Sequence, residues 1–348
     1  MSANVVTAWT VAVGVESRGA TAMALGETMP AIASTASAVD PVDALAWIAI
    51  ATFVAAMVVE WRDHLDQARY IAAGAWVLFG VFWILMAPHY YYDAQSPIQT
   101  VLAIAALPLC LYAGLLLVQG RSSLLVLSRA VAFMGIIYLP AETIPIFRQW
   151  LIEVTAYQTH VAMDLVASSP GINEGANGYQ SRFDFDSEET ATGRTTYIIL
   201  ACTGLGSMAI FGGLIAAVRA PLRRKLAGFV AAVGIIWFLN LARNVFIALA
   251  TPHGWFQQGP FVWITTELAG SVPERSSFFV SHNLIAQPLS IVALVAIAYV
   301  VIRLVPEVLE PLEEALFVLT GSEYDLADAL GTGVDVDPDP ETGKSPAD

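Results

Sequence analysis

Long runs of apolar residues, separated by short polar stretches, divide most of this 348-residue chain. A helix that crosses a bilayer needs about 20 residues, most of them apolar. The pattern predicts seven such helices, at residues 43–59, 70–88, 98–119, 128–147, 197–218, 226–250 and 283–303. We therefore expect an all-α polytopic integral membrane protein with about seven transmembrane helices.

Composition supports this fold class and excludes one class of partner. Hydrophobic residues make up 57% of the chain and charged residues only 13%, whereas soluble domains carry about 25% charged residues. The net charge of −14 is unsuited to nucleic acid, which requires clustered basic side chains. Strong acidity with only two lysines, Lys225 and Lys344, is typical of a protein in high salt, where self-repulsion is screened.

The chain divides into three parts. Residues 1–42 are an N-terminal extension that could hold an eighth helix, and residues 43–303 are the transmembrane catalytic domain. Residues 304–348 form an acidic tail dotted with proline and glycine. Such a segment buries little apolar surface, so we expect it to be largely disordered, with room for a short amphipathic helix around 306–330.

Arginine and lysine set the orientation, because cytoplasmic loops of membrane proteins carry the excess of these residues. The loops 89–97, 148–196 and 251–282 are long but poor in basic residues, whereas the alternate, shorter connections are rich in them. This predicts a multi-pass protein of the cell membrane with a cytoplasmic C-terminus and the three long loops outside. Arg129 and Arg303 lie near cytoplasmic helix ends, where long side chains reach the headgroups.

Three residues that could carry chemistry fall in the same outer layer of the membrane: Cys202, Arg243 and His282. They come from three successive antiparallel spans. An arginine within a span costs about 2.5–3.5 kcal/mol on insertion scales and needs a reason. A lone cysteine in a membrane helix is usually a small core residue, as Cys110 is expected to be. The placement of Cys202, Arg243 and His282 in one layer instead favours a functional site.

The chemistry of these three side chains is that of acyl transfer. A thiolate is the nucleophilic form of cysteine, and a nearby cation or helix N-terminus stabilises it. His282 could accept the thiol proton and return it to a leaving amine. Arg243 could stabilise the thiolate and then an oxyanion. Which of Arg243 and His282 donates the proton stays open; because a guanidinium keeps its protons at ordinary pH, we favour His282.

Two further residues could support the site. Asn240 lies one helical turn before Arg243, on the same face. Glu142, at the outer end of the fourth span, could orient His282 or Arg243, although a carboxylate at a helix end is the commoner interpretation. The outer-loop histidines His160 and His253 lack ligand spacing, so we expect no metal and no cofactor.

The three strings around these residues resemble the exosortase/archaeosortase family: Ala201–Ser207, Asn240–Asn244 and Ser281–Asn283. The resemblance implies a membrane cysteine transpeptidase with Cys202 as nucleophile and catalytic roles for Arg243 and His282. It further implies that the enzyme cleaves a C-terminal Pro-Gly-Phe-type sorting signal of exported proteins such as S-layer glycoproteins. The product would be a thioester that is passed to a membrane lipid.

Other functions remain open at this point. A transporter could use Arg243 to bind an anionic substrate, and it would need polar residues through the full depth of the membrane. A plain intramembrane thiol protease would use water as the acceptor. A structural scaffold would tolerate replacement of Cys202.

Overall fold

The computed structural model describes residues 15–17, 41–93, 97–166, 170–186, 190–268 and 270–331. Short π-helical segments continue some α-helices, and 3₁₀ turns precede others. The α-helices are α1 Pro41–Trp61, α2 Leu65–Pro88, α3 Pro97–Val118, α4 Leu124–Thr143, α5 Pro145–Val166, α6 Leu205–Ala217, α7 Leu222–Ala250, α8 Gly259–Trp263, α9 Ser276–Phe279, α10 Gln287–Leu304, α11 Leu309–Thr320 and α12 Leu326–Ala329.

Six helical stretches in the described part of the chain are long and apolar enough to cross a membrane. Five contain α1, α2, α3, α4 and α7, and the sixth is the continuous rod Pro273–Leu304 that includes α9 and α10. A further apolar helix, α6, has 13 residues. Large apolar side chains such as Val101, Val230 and Leu289 are exposed on the outside of the bundle. The all-α polytopic fold class is confirmed.

The boundaries of three predicted spans differ from the structure. The span predicted at 197–218 is helical only from Leu205, because the chain before it forms a strand and a 3₁₀ turn. The span predicted at 128–147 ends at Thr143, and a separate helix starts at Pro145. The last span begins at Pro273 instead of residue 283, which places His282 inside the helical rod.

A small antiparallel sheet, which the sequence analysis missed, lies beside these helices. Its strands are β1 Val15–Ser17, β2 Gly171–Glu174, β3 Gln180–Asp184 and β4 Arg194–Tyr197, in the spatial order β1-β4-β3-β2. Phe183 pairs with Thr196 across β3 and β4. Helix α5 packs against the sheet and α7. Together these elements form an apolar cluster that includes Met163, Phe183 and Cys202.

Two larger apolar clusters hold the bundle together. One joins α1 to α4, where the rings of Phe53 and Trp76 meet edge to face at 5.2 Å and Trp76 donates to Ser128 Oγ. The other joins α4, α6, α7 and α10 around residues such as Phe211 and Val301. Helix α6 therefore packs against α4 and α7 and is held at the centre of the second cluster.

The charged end of the bundle is built from ion pairs. Arg129 was expected to extend toward the headgroups, but the structure buries it in an ion pair with Glu60. Arg121 holds α11 through two hydrogen bonds to Glu314, at 2.9 and 3.0 Å, and lies over the ring of Phe317. Both contacts to Glu314 raise the pKa of Arg121.

The two ends of the chain bear on the earlier predictions. The amphipathic helix expected around 306–330 is present as α11, so the segment 304–348 starts with packed helices instead of disordered chain. Residues 332–348 lie outside the described part. The helix considered for residues 1–42 also lies outside it, apart from strand β1 and the first two residues of α1.

Candidate active site

The backbone of Cys202 is held by two amide side chains from α7. The residue lies in the 3₁₀ turn Leu200–Thr203, immediately before α6, and is buried. Its carbonyl oxygen accepts hydrogen bonds from Asn240 Nδ2 at 2.7 Å and from Asn244 Nδ2 at 2.8 Å. Both amides reach the same carbonyl because residues four apart on a helix share a face. The two hydrogen bonds hold the turn in position.

Gly204 permits this arrangement at the junction between the turn and α6. Its φ is +76°, in the left-handed region that glycine adopts at no steric cost. A Cβ atom here would also lie 3.2 Å from Asn240 Cγ. The glycine therefore lets the chain turn into α6 while Asn240 approaches closely enough to reach the carbonyl of Cys202.

Arg243 and His282 are in direct contact. Arg243 Nη2 lies 2.9 Å from His282 Nε2. Because a guanidinium only donates, Nε2 is the acceptor and the ring proton is on Nδ1, which donates to Asn283 Oδ1. Phe278 stacks on the imidazole, with ring centroids 5.1 Å apart and planes at 11°. The imidazole is therefore neutral and fixed in orientation.

The three predicted residues meet around one small cavity, lying between α7, the helical rod and strand β4. Cys202, Arg243 and His282 all line it, as do Asn244 and Phe278. The remaining lining residues belong to the sheet region and the C-terminal part of α7: Phe183, Thr196, Tyr197, Ile198, Ile247 and Ala248. A buried thiol, a guanidinium and an imidazole thus share one partly apolar chamber.

Arg243 also lines two cavities outside the chamber. Both lie between α7 and α10 and include Ser290 as well. The larger is lined mostly by apolar residues such as Phe246 and Leu289. The guanidinium therefore lies at the wall between the chamber of Cys202 and a groove on the outside of the bundle.

A second pair of basic residues, Arg194 in β4 and Arg275 at the start of the helical rod, lies near the chamber. Burial lowers the pKa of the Arg194 guanidinium, and the charge of Arg275 lowers it further, while Glu274 raises it. Arg194 begins strand β4, whose other end lines the chamber. Arg194, Arg275 and Glu274 therefore lie together near the chamber.

Other predicted residues lie away from the chamber. Glu142 forms an ion pair with Arg148, at 3.8 Å, rather than with His282 or Arg243. Cys110 is buried in the α1–α4 cluster, where its Cβ lies 3.0 Å from the position a Cβ would take at Gly80. No group of three His, Cys, Asp or Glu side chains in the described ranges could hold a metal ion.

Sequence reasoning identified Asn240 but missed Asn244. The signal was present, because the two amides are four residues apart and therefore lie on the same face of α7. Asn283 and Phe278, which fix the imidazole of His282, were also missed. Their roles depend on the π-helical segment Val280–Ala286, which sequence periodicity does not reveal.

Fold and site together define a multi-pass helical membrane protein with a buried cysteine, a buried histidine and a half-buried arginine around one chamber. The sequence profile of the transmembrane exosortases matches residues 40–273, and the chain belongs to this family. The matched region includes Cys202 and Arg243 and ends before His282.

Two similar relatives are both described as archaeosortase A. The protein of Natronomonas pharaonis is 43% identical over 306 residues, which cover 85% of this chain and 94% of the relative. That of Haloferax volcanii is 45% identical over 300 residues, covering 83% and 97%. The acidic, lysine-poor composition agrees with the halophilic origin of both. No solved structure matches the chain.

Proposed function

We propose that the protein is a membrane thiol transpeptidase that cleaves the C-terminal, Pro-Gly-Phe-type sorting signal of exported proteins such as S-layer glycoproteins. The observation that carries this proposal is the chamber lined by Cys202, Arg243 and His282, in which the guanidinium contacts the imidazole. The similarity to two proteins described as archaeosortase A supports it. The enzyme forms a thioester and passes the protein to a membrane lipid.

Two sources of positive charge lie close to Cys202. The residue lies two positions before Gly204, the N-cap of α6, where the peptide dipoles place partial positive charge. Arg243 supplies a full positive charge to the same chamber. On this proposal, both stabilise the negative charge that develops during the attack on the substrate.

The first step requires a change of hydrogen-bond partner at His282, because Nε2 is occupied by Arg243. When the scissile carbonyl enters the chamber, Arg243 turns to its oxygen and frees the Nε2 lone pair. The imidazole then takes the proton of the Cys202 thiol while the sulfur attacks the carbonyl carbon. Arg243 stabilises the resulting oxyanion. One movement therefore activates the nucleophile and prepares the oxyanion site.

The second step returns the proton. Collapse of the tetrahedral intermediate breaks the C–N bond, and the leaving amine takes the proton from His282 Nε2. The substrate remains attached to Cys202 as a thioester. A nucleophile on a membrane lipid then attacks the thioester carbonyl, gives its proton to His282, and releases the cysteine.

Two alternatives differ in what they require of the structure. A transporter needs polar groups through the membrane, yet residues 226–239 of α7, between Lys225 and Asn240, are all apolar or glycine. The polar side chains of α7 therefore cluster at its two ends, which disfavours transport. A thiol protease with water as acceptor needs the same chamber, so the product must distinguish it from a transpeptidase.

The orientation is part of the proposal. The basic residues Arg121, Arg219 and Arg224 lie at the end of the bundle opposite Cys202, at or near the ends of α3, α6 and α7. By the positive-inside rule this end is cytoplasmic, as is the C-terminus. The chamber then lies near the extracellular face, where exported substrates arrive.

The test is processing of an exported reporter that ends in a Pro-Gly-Phe-type signal, in cells that carry the wild-type protein or Cys202→Ala. Cys110→Ala is the matched control, because it removes the other buried thiol, far from the chamber. Mass spectrometry of the reporter gives its new C-terminus and any attached lipid.

We expect cleaved, lipid-bearing reporter with the wild type and Cys110→Ala, and intact reporter with Cys202→Ala. A new C-terminus without lipid would identify water as the acceptor and support the protease. Equal processing by Cys202→Ala and wild type would exclude the thioester mechanism.

A further inference from the structure

Another cavity, remote from the chamber, lies at the opposite end of the bundle. It lies between the ends of α1, α4, α6 and α7. Lys225 at this end and Arg243 at the chamber are 18 residues apart on α7, which corresponds to about 27 Å. The cavity is therefore a separate site. Its lining residues are Trp61, Arg129, Phe133, Ala216, Ala217, Val218, Arg219, Ala220 and Lys225.

Three cations line this cavity, and the protein positions two of them firmly. Lys225 Nζ donates to the carbonyls of Ala216 and Val218, at 2.8 and 3.0 Å, and retains a third N–H. Arg129 Nε donates to the carbonyl of Ala217 at 2.9 Å, and its Nη1 pairs with Glu60. Both side chains thus have donors left over after their contacts within the protein.

The third cation, Arg219, is held less firmly than the other two. Its Nη2 lies 3.4 Å from Glu60, and its side chain is 79% exposed. Two carboxylates face these cations, Glu60 and Glu310. Burial raises the pKa of Glu310, Arg129 and Arg219 lower it, and Glu314 and Glu313 raise it.

The surroundings of the cavity are those of a membrane interface. Trp61 is exposed at its rim, and tryptophan is enriched where the hydrocarbon meets the headgroups. Within two turns of Lys225, the α7 residues Leu226 and Val230 are exposed and apolar. A phosphate in the cavity would therefore have an apolar helix face beside it for an acyl chain.

The geometry points to a binding site for the phosphate group of an anionic membrane lipid, held by Arg129, Arg219 and Lys225. Guanidinium and ammonium groups are the usual donors to phosphate. Free phosphate would bind the same three cations, but it has no acyl chain to contact Trp61 and the apolar face of α7. Binding here is independent of the acyl-transfer chemistry, so it can be measured whether or not the protein processes a sorting signal.

Native mass spectrometry of the full-length protein in detergent, with added phosphatidylglycerol or phosphatidylcholine, tests this site. Arg219→Gln removes an exposed cation from the cavity, and Arg223→Gln is the matched control because it removes the same charge from the same end of α7 without lining the cavity. A parallel series measures the melting temperature with inorganic phosphate.

We expect phosphatidylglycerol to be retained in preference to phosphatidylcholine, and its affinity to fall about fivefold in Arg219→Gln but not in Arg223→Gln. Equal retention of the two lipids, or an equal loss in the two variants, would overturn the site. Stabilisation by inorganic phosphate as large as that by the lipid would assign the cavity to a free anion instead.

Discussion

The two amides that hold the Cys202 carbonyl provide the sharpest test of how the nucleophile is positioned. Asn240 and Asn244 donate to one oxygen, so either can be removed while the other remains. A single hydrogen bond contributes about 0.5–1.5 kcal/mol net. If the lost free energy is taken from the positioning of Cys202, Asn240→Ala or Asn244→Ala should slow reporter processing by between about twofold and tenfold.

The double variant should lose more than the two single variants together. With both amides gone, the buried carbonyl of Cys202 has no side-chain donor, and an unsatisfied buried group costs about 1–3 kcal/mol beyond the lost bonds. We therefore expect about 3 kcal/mol in total, or a rate more than about 100-fold lower. The excess over additivity is the coupling energy that a double-mutant cycle measures.

The assay is the initial rate of reporter cleavage, measured beside the melting temperature of each purified variant. Gln158→Ala serves as the control, because Gln158 also forms one side-chain hydrogen bond, to Trp237 at 3.0 Å, but in an exposed place. Strict additivity in the cycle would refute the shared-acceptor argument. Normal rates in both single variants would show that the turn holds its position without them.

Two further predictions concern stability. Gly204→Ala forces a left-handed backbone on a residue whose Cβ would lie 3.2 Å from Asn240. We expect it to lower the free energy of unfolding by about 1–2 kcal/mol, measured by thermal unfolding in detergent. The neighbouring Gly206→Ala should show no comparable loss. Arg129→Met leaves the buried Glu60 without its main partner and should lower the free energy of unfolding by about 3–5 kcal/mol. Adding Glu60→Gln should restore most of that stability. Equal melting temperatures for the single and double variants would contradict this prediction.

The spans could be predicted because a bilayer requires about 20 apolar residues per helix and leaves few alternatives. The local structure around Cys202 could not. The run Tyr197–Cys202 is apolar and short, and such a run fits a strand, a turn or a buried helix equally well. The turn at Gly204 is explained only by the close approach of Asn240, which is a tertiary contact.

The sheet was missed for a related reason. Strands β2, β3 and β4 have four or five residues each and include charged side chains such as Arg182. Their pairing is a tertiary interaction that no local pattern encodes. The sequence did place Arg243 and His282 in the same layer, because successive antiparallel spans bring such positions together, but their direct contact is seen only in the structure.

The shortness of α6 has a consequence for the lifetime of a thioester. Thirteen residues extend about 20 Å, less than the hydrocarbon thickness of about 30 Å. Cys202 lies in the turn that precedes this short helix and is buried in the cluster formed with α5 and the sheet. On the proposed function, an acyl group attached there meets little bulk water. A nucleophile held before a short helix, instead of inside a full span, thus biases the reaction from hydrolysis toward transfer.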